Sequence, residues 1–216
     1  MTGGSEGIGY GVTHTLLSHD ISKLIILSLS KEVVDGAKKS VAEELGQEKA
    51  DRTEWIQCDI SNFAEVKKAA DQIKNSTDRL DILINNAARG IQTYQLSPYG
   101  IDQHMATNHF GHVLLTSYLF DLLKKTSEKH GTVRIVNQAS NAHQGAPSDV
   151  KFESLDELNI DLGPNPQYGR SKLANILYTR YLERNVTKGG SPKILVNATH
   201  PGFVSTRQSV EHIHEA

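Results

Sequence analysis

Five short runs rich in β-branched and aliphatic residues recur along the chain, at residues 23–29, 53–57, 81–85, 132–137 and 193–198. Between them lie longer stretches, 7–19, 31–45, 63–75, 101–129 and 168–185, whose apolar residues fall three and four apart and so share one helical face. Strands that alternate with helices in this way are joined by crossovers, which makes the strands parallel and covers both faces of their sheet. The expected fold class is therefore α/β, a doubly wound parallel sheet in a single domain spanning 1–216. Residues 81–85 (DILIN) and 132–137 (TVRIVN) are nearly all apolar inside, as central strands buried on both faces should be. Residues 141–167 lack a period and contain Gly145, Pro147, Gly163, Pro164 and Pro166, so they read as one long loop with room for a short helix.

Composition narrows the partners. Lys and Arg number 23 against 25 Asp and Glu, a formal net charge of −2 that gives no overall field for a phosphate backbone or an anionic membrane. Nucleic acid is not an expected partner. Cys58 is the single cysteine, which excludes an internal disulfide and fits a reducing, cytoplasmic address. No run approaches the roughly 18 apolar residues that a membrane span requires.

Three local patterns carry chemistry. Thr2-Gly3-Gly4-Ser5-Glu6-Gly7-Ile8-Gly9 opens directly into a helical pattern. Glycines so spaced permit a tight turn and a close approach of backbone N–H groups to a pyrophosphate at a helix N-terminus. Tyr168 and Lys172 stand four apart on one helical face, where an ammonium can lower a phenol toward a usable acid–base range. Asp59, Asn86, Ser140 and Pro201-Gly202 all fall just past an expected strand, at the carboxyl edge where open α/β sheets bind ligands. Any one of these could be a helix cap or a polar turn residue, but together they converge on one crevice. His104, His109 and His112 share a helical segment without a cysteine or carboxylate partner, so they read as packing residues rather than metal ligands.

Taken in order, Thr2-Gly3-x-x-x-Gly7-x-Gly9, Asp59, Asn85-Asn86-Ala87, Asn108, Ser140, Tyr168-x-x-x-Lys172 and Pro201-Gly202-x-Val204-x-Thr206 resemble the short-chain dehydrogenase/reductases over essentially the whole chain. Asn108-His109-Phe110-Gly111-His112 and Ser171-Lys172-Leu173-Ala174-Asn175-Ile176-Leu177 look most like the retinol-dehydrogenase-like and WW-domain-oxidoreductase-like branch. The resemblance implies a Rossmann-like fold and hydride exchange between a nicotinamide and a carbonyl or alcohol. Tyr168 would be the general acid/base, Lys172 would lower its pKa and hold the nicotinamide ribose, Ser140 would bind the substrate oxygen, and Asn108 would place a water in the relay to Lys172. Cofactor contacts would come from Gly3, Ser5, Glu6, Gly7, Ile8 and Gly9 in the turn and from Ser30 and Lys31 after the next strand. Asp59, Ile60, Asn86 and Ala87 would line the adenosine side, with Pro201, Gly202, Val204 and Thr206 around the carboxamide.

An acidic residue about 20 positions past the glycine turn would select NAD through the ribose 2′-OH. Leu29, Ser30 and Lys31 occupy that place, and Ser30 with Lys31 could accept a 2′-phosphate, so NADP(H) is expected over NAD(H); Glu6 stands where many NADP-preferring relatives carry a basic residue. The resemblance also implies a small, apolar carbonyl or alcohol as substrate and a possible homodimer through the long helices. The competing readings are a catalytically silent nucleotide- or partner-binding protein of the same fold, and a structural scaffold. Only Met1 precedes Thr2-Gly3, so a first strand and a last one are expected to be lacking, leaving the domain incomplete at both ends.

Overall fold

The computed structural model describes residues 1–191, 193–202 and 204. In chain order the elements are α1 (Gly7–Ser18), β1 (Leu24–Ser28), α2 (Lys31–Leu45), α3 (Gln47–Asp51), β2 (Thr53–Gln57), α4 (Phe63–Ser76), β3 (Ile82–Asn85), α5 (Gln103–Met105), a π-helical turn (Ala106–Phe110), α6 (Gly111–His130), β4 (Val133–Gln138), a 3-10 turn (Asn141–Gly145), α7 (Leu155–Leu158), α8 (Pro164–Leu182), a second π turn (Glu183–Thr187) and β5 (Ile194–Thr199).

All strand pairings are parallel. β1 pairs with β2, Leu24 opposite Thr53, and β3, β4 and β5 pair in that order, Ile82 opposite Arg134 and Val133 opposite Ile194. The backbone of residues 1–3 runs between the two groups: Leu27 N–H donates to the Met1 carbonyl at 2.9 Å, Gly3 N–H to Leu27 at 2.8 Å and Thr2 N–H to Ile84 at 3.0 Å. The spatial order is thus β2, β1, residues 1–3, β3, β4, β5, with the strand order reversing beside residues 1–3, where such folds open their ligand crevice.

The period-2 alternation of the strands sends side chains to two cores. Leu24, Ile26 and Ile84 pack with Leu17 of α1 and Val34 and Val41 of α2. Leu27, Leu83, Val133, Ile135 and Ile194 pack with Val66, Ala70 and Ile73 of α4 and Leu115, Leu119 and Leu123 of α6. Caps fix the helix starts. Ser30 Oγ accepts from Val33 N–H, and Asn62 Oδ1 accepts from Ala64 and Glu65 N–H. A Cβ at Gly111 would overlap the Ile60 carbonyl, so glycine there lets α6 meet the end of the β2 segment backbone to backbone.

Two expectations are corrected, and one short helix was not expected. The helix expected over 101–129 is broken: Asp102 caps α5, and the π turn that follows adds a residue to one turn, throwing Asn108 toward partners outside its own helix. Residues 141–167 are not one loop. They hold the 3-10 turn, α7 capped by Ser154, and the start of α8, because Pro164 occupies the first turn of that helix, where its missing N–H is not needed. α3, only five residues long and entered through Gly46 at φ 95°, was too short to show a period. Among the described residues no helix is long and apolar enough to cross a membrane.

Candidate active site

The singled-out residues lie along the carboxyl ends of the strands, where open α/β sheets bind ligands, with each strand end delivering one of them. After residues 1–3 the chain turns through Gly3 and Gly7, both at positive φ, into α1. A Cβ at Gly9 would overlap the Gly3 carbonyl oxygen, so the turn closes on the helix only because that position is glycine. The first N–H groups of α1 have no acidic side chain in the first turn and no side-chain cap from Glu6. They form an uncompensated donor set of the kind that receives a phosphate. Asn86, past β3, braces the turn: its Nδ2 donates to the Thr2 and Gly3 carbonyls at 3.1 and 3.0 Å. These features fit a dinucleotide, with Gly3 through Gly9 as the pyrophosphate cradle.

Ser30 and Asp59 also carry local structural duties. Ser30 caps α2, and Lys31 next to it is exposed and paired with Asp35 one turn on. Asp59 Oδ1 accepts from Ser61 N–H at 2.9 Å and from its hydroxyl at 2.8 Å, while Asp59 N–H donates to Glu65. Ile60 is buried behind it, against Gly111. Beyond β5, Gly202 sits at φ 82°, Pro201 is exposed and Val204 is at the surface. Thr206 lies outside the described residues.

Ser140, Tyr168 and Lys172 come from β4 and α8. Ser140, past β4, donates from its hydroxyl to Asn141 Oδ1 at 3.4 Å and stands near enough to the Tyr168 phenol to favour its ionised form. Its Oγ also accepts from Ala142 N–H at 3.1 Å, which fixes the 3-10 turn. Lys172 lies one turn beyond Tyr168 with Nζ 5.4 Å from the ring centroid. That ammonium is buried and donates at 3.1 Å to the Gln138 carbonyl, which also accepts from Asn175 Nδ2 at 3.2 Å. Asn108 in the π turn is wholly engaged: Oδ1 accepts from Arg89 N–H at 2.7 Å, and Nδ2 donates to the Arg89 carbonyl at 3.0 Å and to Ser171 Oγ at 2.9 Å. Ser171 Oγ in turn donates at 2.7 Å to the Tyr168 carbonyl, closing a path from the π turn to the phenol-bearing turn of α8.

The electrostatics depart from the expectation that Lys172 lowers the Tyr168 pKa. Burial raises the phenol above 10 and Ser140 only partly opposes it; burial also lowers Lys172 from 10.5 to about 8. The lysine hydrogen bonds to the Gln138 carbonyl, and desolvation is the leading effect on both groups.

Sequence reasoning passed over the partners of these residues: Gln138 through its carbonyl, Arg89 through its backbone, and the side chains of Ser171, Asn175 and Thr2. The stretch around Lys172 held Ser171 and Asn175 and the glycine motif held Thr2, but nothing in either marked these side chains as partners. The three histidines go separate ways. His104 bonds to the Gly90 carbonyl, His109 to Asn175, and His112 to Thr2 and Asn108.

A dinucleotide cradle and a Ser–Tyr–Lys group at one sheet edge define a nucleotide-dependent oxidoreductase class. The short chain dehydrogenase family model matches residues 1–151, and the chain belongs to that family. It is 61% identical over 219 residues to the Neurospora crassa protein named as mitochondrial oxidoreductase bli-4, covering 100% of this chain and 53% of that one, so the chain spans about half the length of that relative. In fold it is similar to the Pseudomonas aeruginosa RhlG/NADP active-site complex, with TM-score 0.73 at 24% identity over 100% of this chain and 75% of that one. A Burkholderia phymatum short-chain dehydrogenase/reductase in complex with NAD gives TM-score 0.73 at 19% identity, over 99% and 68%.

Proposed function

We propose that this chain carries the site of an NADP(H)-dependent oxidoreductase that interconverts a small, largely apolar carbonyl and its alcohol, with Tyr168 as general acid/base. The observation that carries the reading is the convergence of Ser140, Tyr168 and Lys172 on one sheet edge, beside a glycine turn shaped for a pyrophosphate.

A bound nicotinamide supplies or accepts the hydride. The chain's own residues do the rest. Ser140 Oγ, already within reach of the phenol, holds the substrate oxygen beside Tyr168, and in reduction the phenol gives its proton to that oxygen as the carbonyl carbon takes the hydride. A phenol kept neutral by burial is suited to that direction. Lys172, whose ammonium lies 5.4 Å from the Tyr168 ring centroid, would donate to ribose hydroxyls of a bound cofactor. Ser30 and the exposed Lys31 ammonium support the 2′-phosphate preference, since among the described residues Lys31 is tied only to Asp35 on its own helix and can turn to an incoming anion. Exposed Ile91 and Leu96 on the loop after β3, and Leu155 and Ile160 after β4, give the same edge an apolar rim, which supports an apolar substrate.

The test pairs calorimetric binding of NADPH and NADH with NADPH oxidation across a panel of apolar aldehydes and ketones. Tyr168→Phe should bind NADPH as the wild type does and lose about 10²–10⁴ in turnover. Wild-type turnover by that variant would refute the role given to Tyr168. Equal affinity for the two cofactors at low salt would refute the preference.

A further inference from the structure

His112 has no part in the chemistry above, yet it is buried within α6 and hydrogen bonded at both ring nitrogens. Nδ1 lies 3.1 Å from the Asn108 carbonyl oxygen, which can only accept, so Nδ1 carries a proton. Nε2 lies 2.9 Å from Thr2 Oγ1. That hydroxyl oxygen already accepts from Asn86 N–H and Ala87 N–H, both at 2.9 Å, which fills its two acceptor positions. The one hydrogen bond it has left to make is as a donor, and Nε2 must accept it. The partners on both sides therefore fix one tautomer, with the proton on Nδ1, and a proton on Nε2 would face a saturated oxygen.

The consequence is a continuous line of hydrogen bonds. It runs from the Asn86 and Ala87 amides through the Thr2 hydroxyl, the His112 ring, the Asn108 peptide and side chain and Ser171 Oγ to the Tyr168 carbonyl. It joins the residue that opens the glycine turn to the helical turn bearing the phenol, and His112 is the side chain that bonds Thr2 directly to the π turn, alongside the Asn108–Arg89 bonds three residues past Asn86.

We propose that His112 is a positioning residue, a strut of fixed tautomer that sets the dinucleotide turn against the π turn of Asn108 and thereby aligns Tyr168 with the bound cofactor. The inference rests on the nucleotide-binding reading of the glycine turn given above.

Two conservative replacements separate the strut's two ends, because Gln places its amide near the Nε2 site and Asn near the Nδ1 site. His112→Gln can still accept from Thr2 and should keep its NADPH dissociation constant within about threefold while kcat falls about tenfold or more, the loss expected for one buried hydrogen bond. His112→Asn can still donate to Asn108 but not accept from Thr2, and its larger loss should be in nucleotide affinity, again about tenfold. His112→Phe should lose both, and adding Thr2→Val to it should cost less than the two single losses combined, because they break the same line. Nitrogen-15 NMR of the wild-type ring at pH 7 should show the Nδ1-protonated neutral tautomer.

The proposal is overturned if the ring is protonated at Nε2, if Gln and Asn variants show the same kcat and affinity as the wild type, or if both show one uniform loss with no split. The Gln and Asn variants decide the matter even where the Phe variant does not fold. A wild-type chain that binds no NADPH would instead defeat the nucleotide reading, and the ring's tautomer would still report on the strut.

Discussion

Replacing Lys172 by Met should make the protein more stable while abolishing its turnover. The ammonium is buried, its hydrogen bond among the described residues is to the Gln138 carbonyl, and the cause of its lowered pKa is burial alone. A fall from 10.5 to about 8 corresponds, at roughly 1.4 kcal/mol per tenfold change, to about 3 kcal/mol by which burying the charge opposes folding at neutral pH. Met fills a similar volume without charge, and Asn175 still donates to the Gln138 carbonyl, so no acceptor is orphaned. Losing the lysine's own hydrogen bond offsets about 1 kcal/mol, leaving a net gain of about 2 kcal/mol. For a chain of this size that is a rise of about 4–8 °C in Tm, read by calorimetry on nucleotide-free protein. The sign with pH is a second check. A lysine with a depressed folded pKa leaves the unfolded chain holding more protons between about 8 and 10.5, so wild-type stability rises with pH across that window relative to the variant. The advantage of Lys172→Met should shrink by about 2 kcal/mol between about pH 7 and about pH 9.5. A variant no more stable than wild type at pH 7, or an advantage that does not change with pH, would refute the reasoning.

Gly9→Ala forces a methyl into the Gly3 carbonyl and should weaken NADPH binding at least tenfold and lower Tm, measured by calorimetry and a thermal melt; unchanged affinity would remove the cradle argument. His112 is lowered from 6.5 to about 4, chiefly by burial, so the unfolded chain binds more protons between those values and the histidine's contribution is lost as pH falls through that range. Denaturant melts should show wild type losing about 3 kcal/mol more than His112→Gln over that interval, and parallel pH profiles would count against it. Cys58 is buried and pushed up to about 12, first by burial and then by Glu65 and Asp59, so native protein should resist iodoacetamide at pH 8 and react only when unfolded.

The periodic features of the chain were legible because they rest on local rules. Thr53–Gln57 and Lys31–Leu45 have the limits that their patterns implied, and Asn86 and Ser140 stand at strand ends because the alternation of strands and helices put them there. What escaped was set by contacts between distant residues. The π turn at Asn108 is held by Arg89, 19 positions away, and by Ser171, 63 away, and no periodicity along one helix reports such a pair. The His112 tautomer depends on Thr2, 110 positions distant. Lys172 was expected to tune the phenol because spacing brings the two to one face. Spacing does not say that the ammonium turns to a backbone carbonyl, nor that burial is the larger effect on both groups.

That burial bears on which proton state the polypeptide itself favours. Tyr168 and Lys172 are shifted in opposite directions, the phenol up and the ammonium down, and each shift favours a neutral group. The protein alone therefore presents a protonated phenol beside Ser140 at neutral pH, which is the acid needed to reduce a carbonyl. Taking a proton from an alcohol needs the phenolate, and among the described residues the group that favours it is Ser140. The Asn108, Ser171 and Gln138 contacts fix positions rather than supply charge, since the groups they engage are backbone amides, carbonyls and a hydroxyl. On the function proposed above, burial of the Tyr168 phenol therefore favours the protonated form that reduction uses, and Lys172, lowered only to about 8, still carries its charge beside the ring at neutral pH.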